Sequence, residues 1–481
     1  MAQFETVIGM EIHVELATQS KVFCGCSTKF GAPPNTNVCP VCLGFPGSLP
    51  VLNRSVVEFS LRAALAFHCS LTSPCLFERK NYFYPDLPKA YQISQRMLPL
   101  GTNGWVEIET TVGTKRVGIS DAHMEEDTGK SLHGGEAGSD AHSLIDFNRA
   151  GVPLLEIVSA PDLRSIEEAE AYMETMRSIL LYLGISECRM EHGHLRFEAS
   201  VSLRPFGATE FGTRVEVKNL NSFRAVTGAL KAEITRQEKI LNSGGTVAQQ
   251  TMLWDEARGV TAPMRSKEHA HDYRYFPEPD LVPVVIDKAW RSRVERELPE
   301  LPRARRARFV TQYELPDYDA RILTATKASA DFFEACVADY GKPKVVSNWM
   351  MGELARLLNE AQQELPDTAL TPAHVVGMLR LMDDGTISGA VAKRVLEEMF
   401  ATGAQPADIV EARGLKQVSD DSALAPIIAQ VVADHPQVIA DLRAGKDRSK
   451  QFLVGQVMKA TRGRANPGRV NELLDAELAK P

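Results

Sequence analysis

Val7-Ile8-Gly9-Met10-Glu11-Ile12-His13-Val14-Glu15-Leu16 alternates, with apolar residues at 8, 10, 12, 14 and 16 and Glu11, His13 and Glu15 between them. A period of two is the signature of a half-buried β-strand, whose successive side chains point to opposite faces. One face then feeds a core, and the other carries carboxylate, imidazole and carboxylate in a row. Same-face neighbours lie roughly 6–7 Å apart, so adjacent groups can share a metal cluster or reach its two sides. An ordinary solvent-facing strand also carries such groups. The rest of the chain decides between the two readings.

Length and composition set the frame. A chain of 481 residues, 44% hydrophobic and 24% charged, is expected to form two to four globular domains, each with its own core. Its net charge of −8 argues against a protein coated in nucleic acid but leaves room for a local basic patch. Met1-Ala2-Gln3-Phe4-Glu5 has neither a basic nor a long apolar stretch, and no apolar run approaches the ~18–20 residues of a membrane span. A cytoplasmic protein without membrane association is expected, so its eight cysteines read as thiols or metal ligands. Cys24-Gly-Cys26 and Cys39-Pro-Val-Cys42 flank a loop rich in Pro, Asn and Gly, a suitable tetrahedral Zn²⁺ site. Cys69, Cys75, Cys188 and Cys336 are scattered and expected to be small buried apolar residues.

Further along, Asn53 is expected to cap a helix through Phe67, and Ser165-Ile-Glu-Glu168 to open another to about Leu183. A third helix is predicted from Ser222 to Leu241, stopped by Gly244-Gly245. The segment Glu78 to Tyr91, dense in aromatics, charges and prolines, reads as an ordered site-lining loop, and Asp272 to Pro283 has the same character. Trp105–Glu109 and Lys115–Ile119 read as strands joined by a glycine-containing turn. Ile119-Ser-Asp-Ala-His123-Met-Glu125-Glu126-Asp127 forms a second acid-plus-histidine cluster. Ala150 to Ser159 places a single carboxylate, Glu156, inside an apolar strand-like run. Burying a lone Glu is costly unless it is paired or bound to metal, which makes Glu156 the sharpest single pointer in the chain. Leu195–Leu203 and Thr213–Asn219 alternate as strands, carrying Glu198, Glu216 and Lys218 on their faces.

The Pro-punctuated, charged stretch Arg291–Arg308 reads as a domain boundary, and beyond it the pattern is helical, with starts at Thr371-Pro372 and Ser388. Between Asp441 and Arg469 eight basic residues (Arg443, Lys446, Arg448, Lys450, Lys459, Arg462, Arg464 and Arg469) face two acids, which suggests a phosphate-backbone contact as readily as a solvated helix face. Gly129-Lys130-Ser131 is no P-loop, because position 124 is Met rather than Gly. No GxGxxG, HExxH or GxSxG pattern occurs. Nucleotide binding would therefore rest on carboxylate-held Mg²⁺, for which Glu11, Glu126, Glu156, Glu198 and Glu216, with His13, form a suitable set.

Five long segments resemble one family: Val7–Leu16, Lys80–Gln95, His123–Asp127, Val217–Ser222 and Asp272–Pro283. They are similar to the B subunits of glutamyl/aspartyl-tRNA amidotransferases, the GatB/GatE family, and the likeness spans essentially the whole chain. It implies an α+β fold: a cradle domain with a mostly antiparallel sheet (1–293), an all-α domain (294–405) and an all-α YqeY-like, tRNA-binding tail (406–481). It implies a carbon–nitrogen ligase of protein biosynthesis. ATP would phosphorylate the side-chain carboxylate of Glu on tRNA(Gln) or Asp on tRNA(Asn), and ammonia would displace phosphate to give the amide. By resemblance, His13, Glu126 and Glu156 would hold Mg²⁺, and Glu11, Glu198 and Glu216 would complete or bridge to a second metal. Lys218 would neutralise phosphate charge, Asn219 would lie among the cofactor contacts, and Glu125 is the less favoured of its pair. The four clustered cysteines match the zinc-bearing variety of the family. Ammonia would come from an amidase-type A subunit, with a small C subunit completing a heterotrimer and a misacylating synthetase as a further partner.

Two departures from the family pattern stand out. Glu198 and Ser200 replace the usual Asp and Asn, and His192 replaces a carboxylate to which the resemblance gives no metal role. The competing reading is a non-catalytic zinc-containing tRNA-binding protein, which requires the carboxylates to be exposed to solvent.

Overall fold

The computed structural model describes residues 4–134, 142–264, 273–417, 421–443, 448–461 and 465–479. Strand β1 (Phe4–Glu15) forms where the alternation predicts it. Ile8, Met10, Ile12 and Val14 are buried on one face, while Glu11, His13 and Glu15 lie on the other.

β1 is the central strand of a nine-stranded sheet. In chain order the others are β2 (Ser70–Leu71), β3 (Gly101–Thr110), β4 (Gly113–Glu126), β5 (Pro153–Ser159), β6 (Leu195–Pro205), β7 (Val215–Leu220), β8 (Gln250–Asp255) and β9 (Val260–Pro263). Their spatial order is β9-β8-β7-β6-β1-β5-β4-β3-β2. Every neighbouring pair is antiparallel except β7 and β8, which run parallel and therefore need a crossover. Helix α3 (Phe223–Asn242) supplies it.

Helices α1 (Arg54–Ala66), α2 (Ile166–Leu183) and α3 join the apolar face of the sheet in one core. Each starts at a side-chain cap: Asn53 accepts from the Ser55 amide, Ser165 from Glu168 and Ser222 from Ala225. Such caps satisfy amides that the first helical turn leaves without partners.

The aromatic segments are more regular than their composition suggests. Glu78–Asn81 pairs with Tyr91–Ser94 on one side and Phe276–Pro277 on the other, a small three-stranded sheet. Arg79 clamps it, donating from Nε and Nη2 to the buried Glu278 carboxylate at 2.7 and 2.8 Å. The two segments order each other across nearly two hundred residues of sequence, which no local periodicity reveals. Asp272 lies outside the described residues.

The chain divides into two compact units between Leu301 and Pro302. The expected boundary at 293/294 falls within the helix Lys288–Glu297, whose Val294 is buried in the first core. The second unit is helical, and its described residues hold two hydrophobic clusters, one from Phe309 to Leu415 and one from Leu424 to Leu474. Helix Pro406–Ala412, allotted by sequence to the tail, contributes Ile409 and Val410 to the earlier cluster.

Candidate active site

The polar face of the sheet is built by register. His13 on β1 lies opposite Glu156 on β5 and Arg196 on β6, and Glu156 in turn lies opposite His123 on β4. Two residues along β1, Glu11 faces Glu198. Because strand residues two apart share a face, this row also presents Glu125, Ser200 and Glu15.

The first cluster comprises His13, Glu125 and Glu156, whose ligand atoms all lie within 4.8 Å of one another. His13 Nε2 is 3.3 Å from Glu156 and 3.9 Å from Glu125. His123 Nε2 reaches the same Glu156 oxygen at 3.4 Å, and its Nδ1 lies 2.7 Å from Asp121. Burial and then the neighbouring Glu156 push the Glu125 carboxyl up. Burial opposes charge on Glu156 as well, but His123 and His13 outweigh it and hold that carboxyl well below the usual range. Burial likewise disfavours protonated His123, yet Glu156 and Asp121 prevail and raise it to about 10. Against burial, Glu156 favours protons on both imidazoles. A divalent cation can replace them, releasing protons as it binds.

The second cluster is Glu11, Glu198 and Glu216, again within 4.8 Å. Burial, then Glu156, Glu198 and Glu216, raise the Glu11 carboxyl to about 7. Lys218 Nζ donates to Glu198 at 2.8 Å and lies 3.6 Å from Glu216. Three carboxylates against one ammonium, half-buried, leave a negative surplus that fits a hard cation with oxygen ligands. A cavity of about 200 Å³, lined by Glu11, Glu198, Glu216, Ser200 and Arg214, opens beside them. Glu198 therefore joins the cluster despite the unusual residue types at 198 and 200.

Glu126 does not join the first cluster; Glu125 does. The physical reason is strand phase: Glu125 shares a face with His123, whereas Glu126 points the other way. There it is buried, ion-paired to Lys89, and accepts from the Ile93 amide at 2.9 Å. Asn219 is also displaced. It sits at an irregularity of the β6–β7 pairing with φ 66°, and its Nδ2 donates to the Trp254 carbonyl at 3.0 Å.

Sequence reasoning placed His123 in an acid-plus-histidine cluster without giving it a role, and passed over Arg196 and Lys80. Arg196 reaches the buried Asp127 at 3.0 Å. Lys80 lies 5.1 Å above the Tyr273 ring and 5.9 Å from that of Tyr82, and Glu125 and Glu156 raise it against the opposing effect of burial. A period-two count along β1 or β5 reaches neither Arg196 nor His123, which stand on β6 and β4 and join the row only through register. The role of Lys80 depended on the pairing of the aromatic segments.

The four loop cysteines do converge. All four sulfurs lie within 4.8 Å of one another, and Cys39 and Cys42 are 3.9 Å apart. That is close to the roughly 3.8 Å edge of a tetrahedron with ~2.3 Å Zn–S bonds. Hydrogen bonding from Cys24, with buried Lys21 at 3.6 Å, draws the Cys42 thiol down to about 4. The donor set suits zinc. Cys69, Cys75, Cys188 and Cys336 are buried, as expected.

In the basic tail, Lys450 pairs with Asp475, and Arg469 with Asp421 and Glu472. Lys446, Arg462 and Arg464 lie outside the described residues. Among the described residues no helix is long and apolar enough to cross a membrane. The carboxylates are not solvent-exposed in the way that a non-catalytic protein requires: Glu125 is 3% and the Glu156 side chain 14% exposed.

Comparison with known proteins places these features in context. The profile of the GatB/GatE catalytic domain matches residues 6–292, and that of the GatB domain matches residues 331–478. The B subunit of the aspartyl/glutamyl-tRNA(Asn/Gln) amidotransferase of Moorella thermoacetica is 57% identical over 476 residues, covering 99% of this chain and 100% of its own length. Its namesakes from Caldanaerobacter subterraneus subsp. tengcongensis and Brevibacillus brevis are 55% and 51% identical, each over 478 residues. These cover 99% of this chain, and 100% and 99% of their own lengths.

Proposed function

The chain belongs to the GatB/GatE family, and on that premise we propose that it is the phosphorylating and amidating subunit of a tRNA-dependent amidotransferase. Its substrates are Glu-tRNA(Gln), Asp-tRNA(Asn) or both, with ATP as phosphoryl donor and ammonia supplied by an amidase-type A subunit alongside a small C subunit. A misacylating synthetase is a further partner. The observation that carries this reading is the pair of adjacent clusters on β1, His13/Glu125/Glu156 and Glu11/Glu198/Glu216, with Lys218 at the second.

The chemistry explains the residue types. A carboxylate is a poor acyl donor until one oxygen becomes a phosphate leaving group, and that transfer is catalysed mainly by positioning and charge neutralisation. Mg²⁺ held by the two clusters would supply that neutralisation. Lys218 adds a positive charge that can move from its carboxylate partners to a phosphate oxygen. His123 holds Glu156 ionised and oriented, while neutral His13 would serve as the nitrogen ligand. Lys80 and the tyrosines around it form an aromatic and cationic wall beside Glu125, suited to excluding water from an acyl phosphate. The cysteine site serves structure: Lys21, a neighbour of Cys42, also donates to the Asn37 carbonyl at 2.8 Å and so ties the loop together. Phosphate contacts in the tail would hold the outer part of the tRNA by shape.

The test is amide formation on Glu-tRNA(Gln) and Asp-tRNA(Asn) by the chain with its A and C partners, ATP, Mg²⁺ and glutamine. Glu156→Gln should lower the rate by about 10²–10³-fold while the heterotrimer still assembles. An assembled Glu156→Gln complex with undiminished activity would make Glu156 structural and refute the assignment.

A further inference from the structure

The turn after α2 carries a fourth group of metal-ligating side chains among the described residues, outside both carboxylate clusters and outside the cysteine loop. Glu187, His192 and His194 present ligand atoms that all lie within 4.8 Å of one another. The backbone creates the arrangement. The Arg189 carbonyl accepts from the His192 amide at 3.3 Å and the His194 amide at 3.0 Å, and Gly193 between them has φ 81°. A glycine tolerates that left-handed conformation without strain. Both imidazoles are thereby brought side by side, ring centroids 5.3 Å apart.

Two further observations point to a ligand. His194 Nδ1 is buried without a hydrogen-bond partner, and Glu187 Oε2 lies 3.7 Å from it. That spacing is close to the roughly 3.4 Å edge expected between two ligands on a tetrahedral ion with ~2.0–2.1 Å bonds. Moreover, His192 is already oriented: the Phe30 ring stacks on it at 4.3 Å and 15°, and meets His194 edge-on at 5.9 Å. The competing contact, Arg189 to Glu187 at 3.5 Å, joins two exposed side chains and is weak.

We propose that Glu187, His192 and His194 form a second transition-metal site, for a borderline dication such as Zn²⁺, Co²⁺ or Ni²⁺ rather than Mg²⁺. Two imidazoles and one carboxylate define that preference, since Mg²⁺ and Ca²⁺ take oxygen ligands. Glu187, 58% exposed, stands on the solvent side, so the fourth position falls to water. Phe30 lies between the two cysteine pairs in sequence. Occupancy of the histidine site therefore fixes the rings on which the cysteine loop rests, and couples that loop to β1 through the His194 carbonyl, which accepts from the Glu15 amide at 2.9 Å.

The test uses the full chain with zinc bound at its cysteines and excess Mg²⁺ present to saturate the carboxylates, titrated with Co²⁺. One additional equivalent should bind, giving ligand-field absorption without thiolate charge-transfer bands. His192→Ala and His194→Ala should each weaken it by at least about tenfold without lowering the cysteine-bound zinc or the melting temperature. Glu187→Gln should do so to a lesser degree. Phe30→Ala should weaken Co²⁺ binding less than either histidine variant but abolish Co²⁺-induced protection of residues 28–36 from hydrogen exchange. Absence of saturable binding, binding indifferent to both histidine variants, or thiolate bands on Co²⁺ addition would each overturn the proposal.

Discussion

At the scale of single residues, the decisive distinction is between Glu125 and Glu126, adjacent in sequence and opposite in space. Glu125 shares its cluster with His13 and Glu156, whereas Glu126 is neutralised by Lys89. Glu125→Gln is accordingly expected to cut amide formation by about 10²-fold or more and to raise the Mg²⁺ requirement. Glu126→Gln should leave the Mg²⁺ dependence unchanged, which a rate titration against Mg²⁺ would show. Charge also predicts a pH dependence. The Glu11 carboxyl is raised to about 7 and His123 to about 10, so each binds its proton more tightly folded than unfolded. The stability they contribute is complete below the unfolded values, about 4.5 and 6.5, and is lost as pH rises through 7 and on towards 10. Without divalent metal the melting temperature should therefore fall between about pH 6 and pH 9, and Mg²⁺ should flatten that slope. A metal-free melting temperature that rises over this window would contradict the electrostatic picture. Much of this site was legible: the alternation around His13 and the lone Glu156 announced a polar row on a buried strand. The Glu-Glu pair was not resolved because resemblance alone ranked it. Counting two from His123 selects Glu125, but only once the row containing His123 is known to face His13, and that depends on register.

Individual elements divide the same way. β1 and α1 to α3 were visible because each carries a local signal, alternation or a cap, and each cap bonds as its residue type implies. The segment 78–91 was hidden because only its ends pair, Glu78–Asn81 with Tyr91–Ser94 across a proline-containing loop and with the distant Phe276–Pro277. The apolar side of the sheet should be energetically stiff. Leu155 and Ile157 of β5 are fully buried, so Leu155→Ala should cost about 2–5 kcal/mol in urea unfolding. Loss of the Ser222 cap through Ser222→Ala should cost about 1 kcal/mol. A cost for Leu155→Ala no larger than that of the cap variant would show that the sheet core is less continuous than the burial indicates.

For the whole molecule, separate cores predict separate melting. Calorimetry of the full chain should resolve at least two transitions, one for residues up to Leu301 and one beyond, and stripping zinc with a chelator should shift only the former. A single transition shifted as one by the chelator would contradict that division. The central position of β1 has a consequence during synthesis. Its earliest partner in the sheet begins at Pro153, and its other neighbour, β6, at Leu195. The ribosome must therefore lengthen the chain from Glu15 to at least Pro153 before Ile8, Met10, Ile12 and Val14 find either flanking strand. At ~5–20 residues per second that interval lasts on the order of ten seconds or more. Throughout it the apolar face of the sheet's central strand is a nascent-chain client for ribosome-associated chaperones, and arrested chains ending before Pro153 should be bound by them while full-length chains are released.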